Sequence, residues 1–236
     1  MQDIVAERAF YDKLFSENPD NEHIVEGYDE LYSVAFPELP QGPVFDLGCG
    51  TGGHAIRLAK RGYAVVAVEL TRAGIRAARE RFRRDGLAGR FVVADVQHLP
   101  FRDGAADVAW TSLLLHHFPR LDRLPEELAR ITKRQLIAFE PNAKNVLSWF
   151  AFNVINPIWG LSSTTKNQRA LWPDPLMARF KDAGFAQATL HYVHRPWRDG
   201  VGAFAVIRRV FDGVLGLLPL PYRANKFLMV LARHPQ

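Results

Sequence analysis

The chain is expected to fold as an α/β domain: a doubly wound, mainly parallel seven-stranded sheet with helices on both faces and an N-terminal helical cap. Three observations predict this. In Val44–Gly53, V-F-D-L-G-C-G-T-G-G, a short apolar run ends in a glycine cluster and a helix-compatible run comes directly after it. That is a strand, a tight turn and a helix N-terminus able to approach a ligand closely. Strand-like and helix-like patterns then alternate as far as Pro141, the mark of a parallel sheet covered on both sides. Finally, Asp46, Glu69, Asp95 and Glu140 each fall at the carboxyl end of an expected strand, where such sheets bind ligands.

Two helices, Ile4–Phe15 and Glu22–Phe36, open the chain and carry Phe10, Tyr11, Phe15, Tyr28, Tyr32 and Phe36; Pro37 to Pro43 separates them from the first strand. Strand Val44–Leu47 leads into helix Gly53–Arg61, and Ala64–Val68 forms a strand ending in Glu69. The helix Arg72–Arg84 is basic, with Ile75, Ala78 and Phe82 spaced to face the core. Its arginines read as a solvated face or as a grip on nucleic-acid phosphates. No aromatic stacking pattern accompanies them, which favours the solvated face. Strands Arg90–Ala94, Asp107–Thr111 and Gln135–Phe139 come next, with helix Leu121–Thr132 between the last two. Beyond Pro141 the pattern is less regular. Asn142–Asn156 is aromatic and apolar, Pro157–Pro173 is loop-rich, and Pro175–Ala183 is a helix closed by Gly184. Ala188–Val193 and Phe227–Ala232 are the last strands, and Gly202–Leu218 has helical spacing.

With 236 residues, 48% hydrophobic and 23% charged, the composition is that of one soluble globular domain. No apolar run reaches the roughly 20 residues needed to cross a bilayer. The N-terminus lacks the basic and apolar regions of a secretory signal, and Cys49 is the only cysteine. A reducing, cytoplasmic setting is therefore expected.

The spacing Gly48-x-Gly50-x-x-Gly53 also satisfies the dinucleotide fingerprint, which leaves a nicotinamide-dependent oxidoreductase as an alternative. Asp46 argues against it, because an acid there repels a diphosphate and favours a cationic ligand. V-F-D-L-G-C-G-T-G resembles motif I of the class I S-adenosylmethionine-dependent methyltransferases, most closely the small-molecule group that includes quinone-biosynthesis enzymes. A-V-V-A-V-E-L (Ala64–Leu70), V-V-A-D-V-Q-H-L-P-F (Val92–Phe101) and D-V-A-W-T-S-L-L-L-H-H-F (Asp107–Phe118) resemble the next three motifs, in the expected order. Ile131–Leu136 departs from the family's usual glycine-containing turn before the fifth strand.

The resemblance implies a Rossmann-like single methyltransferase domain, with a cap over residues 1–40, a cofactor core over 42–141 and substrate-side elements and last strands over 142–236. It implies S-adenosyl-L-methionine as cofactor. Gly48, Cys49, Gly50 and Gly52 would lie beneath the methionine part, with Asp46 favouring its cationic end. Glu69 would hold the ribose, Asp95 with Val96 the adenine, Thr111 would stand beside the methionine, and Leu70 would belong to the same cofactor site. Cys49 reads as a small buried filler rather than a nucleophile. No metal is expected. Positioning is expected to dominate catalysis. His116 is the first candidate base with His117 beside it, and Tyr11, Tyr28, His191 and His194 come after them. The apolar stretches V-L-S-W-F-A-F-N-V-I-N-P-I-W and V-F-D-G-V-L-G-L-L-P-L-P point to a lipid- or isoprenoid-like small acceptor with peripheral membrane contact, or else to core or dimer packing in a monomer or homodimer. An RNA methyltransferase is the other alternative, but no N/D-P-P-Y/F motif or second cysteine supports it.

Overall fold

The structure, a computed structural model, describes residues 4–20, 28–118, 120–159, 165, 167–193, 213–214 and 216–233. Its strands are β1 Val44–Leu47, β2 Val65–Glu69, β3 Arg90–Val93, β4 Ala106–Ser112, β5 Thr132–Pro141, β6 Gln187–Val193 and β7 Lys226–Ala232. They form one sheet in the order β3-β2-β1-β4-β5-β7-β6, in which β7 alone runs opposite to the other six. β1 and β2 are buried at every position, as strands covered on both faces must be.

Alternation along the strands divides the core into two layers. Val44, Val65, Ala67, Val108 and Trp110 pack against α2 (Asp29–Ala35), α3 (Gly53–Lys60) and α4 (Arg72–Arg84). Phe45, Leu47, Val66, Val68 and Ala109 pack on the opposite face, against α5 (Leu124–Ile131) and α8 (Pro173–Asp182). The expected Ile75, Ala78 and Phe82 are the buried stripe of α4. The cap helix α1 (Ile4–Glu17) is tied to α4 by Asp12, whose Oδ1 accepts from the Ala73 N–H at 3.0 Å.

Three boundaries differ from the sequence reading. Of the expected helix Glu22–Phe36 the described part is α2, which passes into a 3₁₀ turn at Phe36–Glu38 with Pro37 in its first turn. Thr132–Arg134 extends the fifth strand instead of belonging to a turn: Thr132 is already extended where α5 ends, and its hydroxyl bonds the Leu128 carbonyl at 2.6 Å. Asn142–Asn156 forms α6 (Val146–Phe150) and a π-helical segment (Ala151–Ile155) that continues into α7 (Asn156–Trp159). The Asn145 side chain caps α6 by accepting from the Ser148 N–H. The expected helix Gly202–Leu218 falls largely outside the described residues. Just before β7 comes a single turn, α9 (Leu220–Arg223).

Candidate functional site

The glycine loop is bent by backbone that only glycine adopts freely: Gly48, Gly50 and Gly52 have φ of 72°, 53° and 87°. Their roles separate. Gly48 and Gly50 line a cavity of ≈ 460 Å³, together with Cys49, Thr51 and Gly53. Gly52 lies elsewhere; a Cβ there would stand 3.0 Å from the Ala78 Cβ, so its bareness lets α3 pack on α4. Gly52, expected beneath a ligand, has this packing role and is not among the residues that line the cavity. Cys49 is buried with its thiol pushed well up by burial, which suits a filler.

Glu69, at the end of β2, is the hub beneath this loop. Its Oε1 accepts from the Thr71 N–H at 2.9 Å and the Thr71 hydroxyl at 3.0 Å; its Oε2 accepts from the Gly50 N–H at 3.3 Å. Thr71 also caps α4 by accepting from the Gly74 N–H at 3.1 Å. Glu69, Leu70, Asp95 and Val96 all line the cavity. Asp95 Oδ1 accepts from the Gln97 N–H at 2.9 Å, an Asx turn that fixes the carboxylate at the cavity wall.

Asp46 does not reach the cavity. It is 1% exposed, behind the loop, and one carboxylate oxygen, Oδ2, has no partner among the described residues. Burial pushes its pKa up to about 7, aided by the Glu69 charge and opposed by a bond from the Ala55 N–H. From there its link is to the start of α3, through the Ala55 N–H. Because the folded pKa lies above the ordinary 3.8, the associated stability is present at low pH and lost as pH rises through about 7. Glu140, pushed up to about 7 chiefly by burial, acts in the same direction. Asp46 thus contributes a fall in the unfolding midpoint between pH 5 and pH 8, against the opposite contribution of the neutral His54 and His116, each tenfold change in proton affinity on folding being worth about 1.4 kcal/mol. Asp46→Asn, which keeps an acceptor for Ala55, should make that fall shallower in thermal scans. An equal or steeper fall in the variant would contradict the assignment.

Arg81, expected on a solvated face, is instead buried, and its Nη1 donates to the Thr51 carbonyl at 3.2 Å and the Thr51 hydroxyl at 3.1 Å. Of its neighbours, Arg83 pairs with Glu80, Arg84 pairs with Asp20, and Arg79 stacks over Phe91. The basic helix therefore serves the fold and holds the loop.

The end of β4 shows a slip of one residue. Thr111 is buried, its hydroxyl donating to the Ile137 carbonyl at 3.1 Å, and does not line the cavity. Ser112 does, and its buried hydroxyl has no partner among the described residues. Leu113 comes next with φ of 54°, a strained turn at the cavity wall. Past it, Glu140 gathers three backbone donors: Leu114 at 3.0 Å and Leu115 at 2.7 Å on Oε1, and His116 at 3.3 Å on Oε2. These bonds build the 3₁₀ turn Leu115–His117. His116 Nδ1 lies 2.9 Å from Glu140 Oε2, and burial first, then the charges of His117 and Lys226, push its pKa well below the ordinary value. It is a weak base there, so its expected role changes to building the turn. Tyr11, its hydroxyl pKa raised by burial and its oxygen bonded to Gln168, is a poor base too.

The cavity continues past this turn to α1 and the π-helical segment. Glu7, Tyr11, Phe15, His117, Phe152 and Gln168 belong to that part. His54, also lining, shares a 2.6 Å contact between its Nδ1 and the Tyr32 hydroxyl, and burial lowers its pKa to about 3, so it is neutral. Tyr28 lines the cavity from α2's N-terminal side. His191, in contrast, sits on β6 away from it, and His194 is outside the described residues. No group of residues able to hold a metal ion is present among the described residues, and none of their helices is long and apolar enough to cross a membrane.

A family model for a methyltransferase domain matches residues 45–138, the strands and loops that carry Glu69, Asp95 and Ser112. Residues 45–138 thus match a methyltransferase domain, and the mostly parallel seven-stranded sheet is that of Rossmann-like S-adenosylmethionine-dependent methyltransferase structures. Over 93 residues the chain is 37% identical to the methyltransferase GfsG of Streptomyces halstedii, a match that covers 38% of this chain and 34% of that protein. The chain spans from under a fifth to about two fifths of the length of the curated relatives it matches. Among solved structures, a putative methyltransferase of Haloferax volcanii, in complex with the Trm112 methyltransferase activator, has a TM-score of 0.72 at 19% identity, covering 97% of this chain and 98% of that one. The magnesium protoporphyrin IX methyltransferase of Synechocystis PCC 6803, with bound SAH, gives 0.64 at 16% identity, covering 98% of this chain and 99% of that one. At these identities the structures speak to the fold alone.

Proposed function

We propose that the chain transfers a methyl group from S-adenosylmethionine to a small organic acceptor with an apolar body. One observation carries this reading. A single cavity is lined by residues from the glycine loop and Glu69 past Ser112 to the cap helix and Phe152, so one space can take both donor and acceptor. Its size lies within the roughly 300–1,000 Å³ of small-molecule sites.

The residues present fit the cofactor. Gly48 and Gly50 bring bare backbone to the cavity wall, where a Cβ would crowd two other lining side chains, Leu114 at 2.8 Å and Phe15 at 3.3 Å. Ser112 offers a buried hydroxyl still without a partner among the described residues. Glu69 would accept the ribose hydroxyls; Asp95, Leu70 and Val96 would frame the adenine. When bound, the cofactor supplies a methyl already activated on a sulfonium. The chain's share is to orient the acceptor, which can contribute on the order of 7–11 kcal/mol, and to exclude water.

The apolar body of the acceptor is read from Ile4, Leu14, Leu114, Phe118 and Phe152. Trp149, Phe150, Leu217 and Tyr222 are exposed large apolar side chains, which suits a lipid-like acceptor delivered from a membrane face. Neither an RNA substrate nor a nicotinamide cofactor gains support: Arg79, Arg81, Arg83 and Arg84 of α4 are engaged within the fold, and the family model matched is that of a methyltransferase domain.

Methyl-labelled S-adenosylmethionine, incubated with the chain and cell extract, tests this. Label is expected in the organic-soluble small-molecule fraction, falling at least tenfold with Glu69→Ala, which removes charged hydrogen bonds worth roughly 1.5–3 kcal/mol. Label confined to RNA would overturn the small-molecule reading.

A further inference from the structure

The cap helix brings to the cavity a second carboxylate–imidazole pair, separate from the buried Glu140–His116 pair. Glu7 Oε2 lies 3.3 Å from His117 Nδ1. The other oxygen of Glu7 accepts from Asn167 Nδ2 at 3.0 Å and from the Thr165 hydroxyl. Burial alone would raise the Glu7 carboxyl, but the bonds from His117, Thr165 and Asn167 and the His117 charge outweigh it and hold the group below its usual range. An ionised carboxylate only accepts, so His117 Nδ1 carries the hydrogen, and in the neutral ring the lone pair falls on Nε2. The second contact agrees. Gln168 Nε2, an amide donor, lies 3.3 Å from His117 Nε2 and also donates to the Tyr11 hydroxyl at 2.8 Å. Two independent neighbours thus set the same tautomer, with the basic nitrogen facing other lining groups. The His116 ring, 4.4 Å away, is neutral and adds no opposing charge.

We infer that His117 is the base of this site and Glu7 its positioning residue, so that the acceptor is a neutral hydroxyl compound, a phenol or enol, methylated on oxygen. This rests on the methyl-transfer reading above. The acceptor hydroxyl takes the place of the Gln168 amide at Nε2. The O–CH₃ bond forms as the S–CH₃ bond breaks; the sulfonium keeps the electron pair and becomes a thioether. The hydroxyl proton passes to His117 Nε2, the O–H pair stays on oxygen, and Glu7 balances the imidazolium until water removes the proton. A carboxylate has no proton to lose, and an aromatic amine attacks through a lone pair it already has. A neutral hydroxyl must shed its proton as the bond forms, and a base held in one tautomer by a buried acid serves that need.

Two measurements on the full chain test this. In ¹⁵N-detected NMR of the imidazoles, His117 is expected in the Nδ1–H tautomer, and Glu7→Gln should mix the tautomers while Glu7→Asp restores the first. A protonated Nε2 in the wild type, or no change in Glu7→Gln, overturns the assignment. With labelled S-adenosylmethionine, 1-naphthol is expected to be methylated in preference to 1-naphthylamine. His117→Gln should lower that transfer about 100-fold or more, the low end of general-base contributions, with cofactor affinity within twofold; His117→Asn guards against a folding failure. Preferential methylation of the amine, transfer to neither probe, or naphthol transfer unchanged in both variants overturns it. Calorimetry keeps the two readings apart. If the wild type fails to bind S-adenosylmethionine, the methyltransferase reading fails; if it binds and the His117 results fail, only this inference does.

Discussion

Gly74→Ala is expected to lower affinity for S-adenosylmethionine at least tenfold and to lower the unfolding midpoint. Helix propensity alone forecasts the opposite, because alanine in a helix interior is worth roughly 0.5–1 kcal/mol over glycine. At position 74 the surroundings decide. A Cβ would stand 2.8 Å from Glu69 Cγ, 2.9 Å from Thr71 Oγ1 and 3.0 Å from the Gly50 carbonyl oxygen. One of these is backbone of the glycine loop, and the other two belong to the carboxylate hub and its partner, each already committed by hydrogen bonds. Relief must therefore move the loop, the hub or the start of α4, and overpacking of this kind costs typically about 1–3 kcal/mol. Gly213→Ala is the control, since a Cβ there meets nothing within 4 Å. Calorimetry and thermal scans read both effects. A Gly74→Ala chain that binds normally and melts higher would show that the hub yields easily.

Arg81→Met is expected to have the second large effect. The substitution keeps much of the buried stem and removes both bonds to Thr51. Hydrogen bonds from a charged donor are worth roughly 1.5–3 kcal/mol each, so loop order and stability should both fall measurably. Arg83→Met is the comparison. Its pair with Glu80 is exposed, and such pairs are worth about 0–1 kcal/mol. If the two variants melt alike, Arg81 does not anchor the loop.

These two residues also mark where the sequence stops being legible. Strands, glycine turn and the stripe Ile75, Ala78 and Phe82 are read from periodicity, because a strand covered on both faces and an amphipathic helix leave local patterns. The run of arginines in α4 carries no such mark for Arg81, whose long side chain leaves the helix flank and reaches a loop thirty residues earlier in the chain. Gly74 reads as an ordinary helix residue until the Glu69 side chain is placed beneath it. Thr111 and Ser112 differ by one position, which in a strand means opposite faces; motif spacing locates the strand end without deciding which hydroxyl faces the cavity. The acceptor end is least legible of all. Glu7 and His117 are 110 residues apart and meet only because α1 folds over the carboxyl ends of the strands. No spacing rule joins them.

The ligand held by the glycine loop and Glu69 decides whether this chain is a methyl-transfer enzyme. Isothermal titration of the full chain with S-adenosylmethionine, and separately with NADH, tests this directly. Saturable one-to-one binding of S-adenosylmethionine is expected, weakened at least tenfold by Glu69→Ala, with no saturable binding of NADH. Saturable binding of NADH, or no heat with S-adenosylmethionine at millimolar concentration, would contradict it.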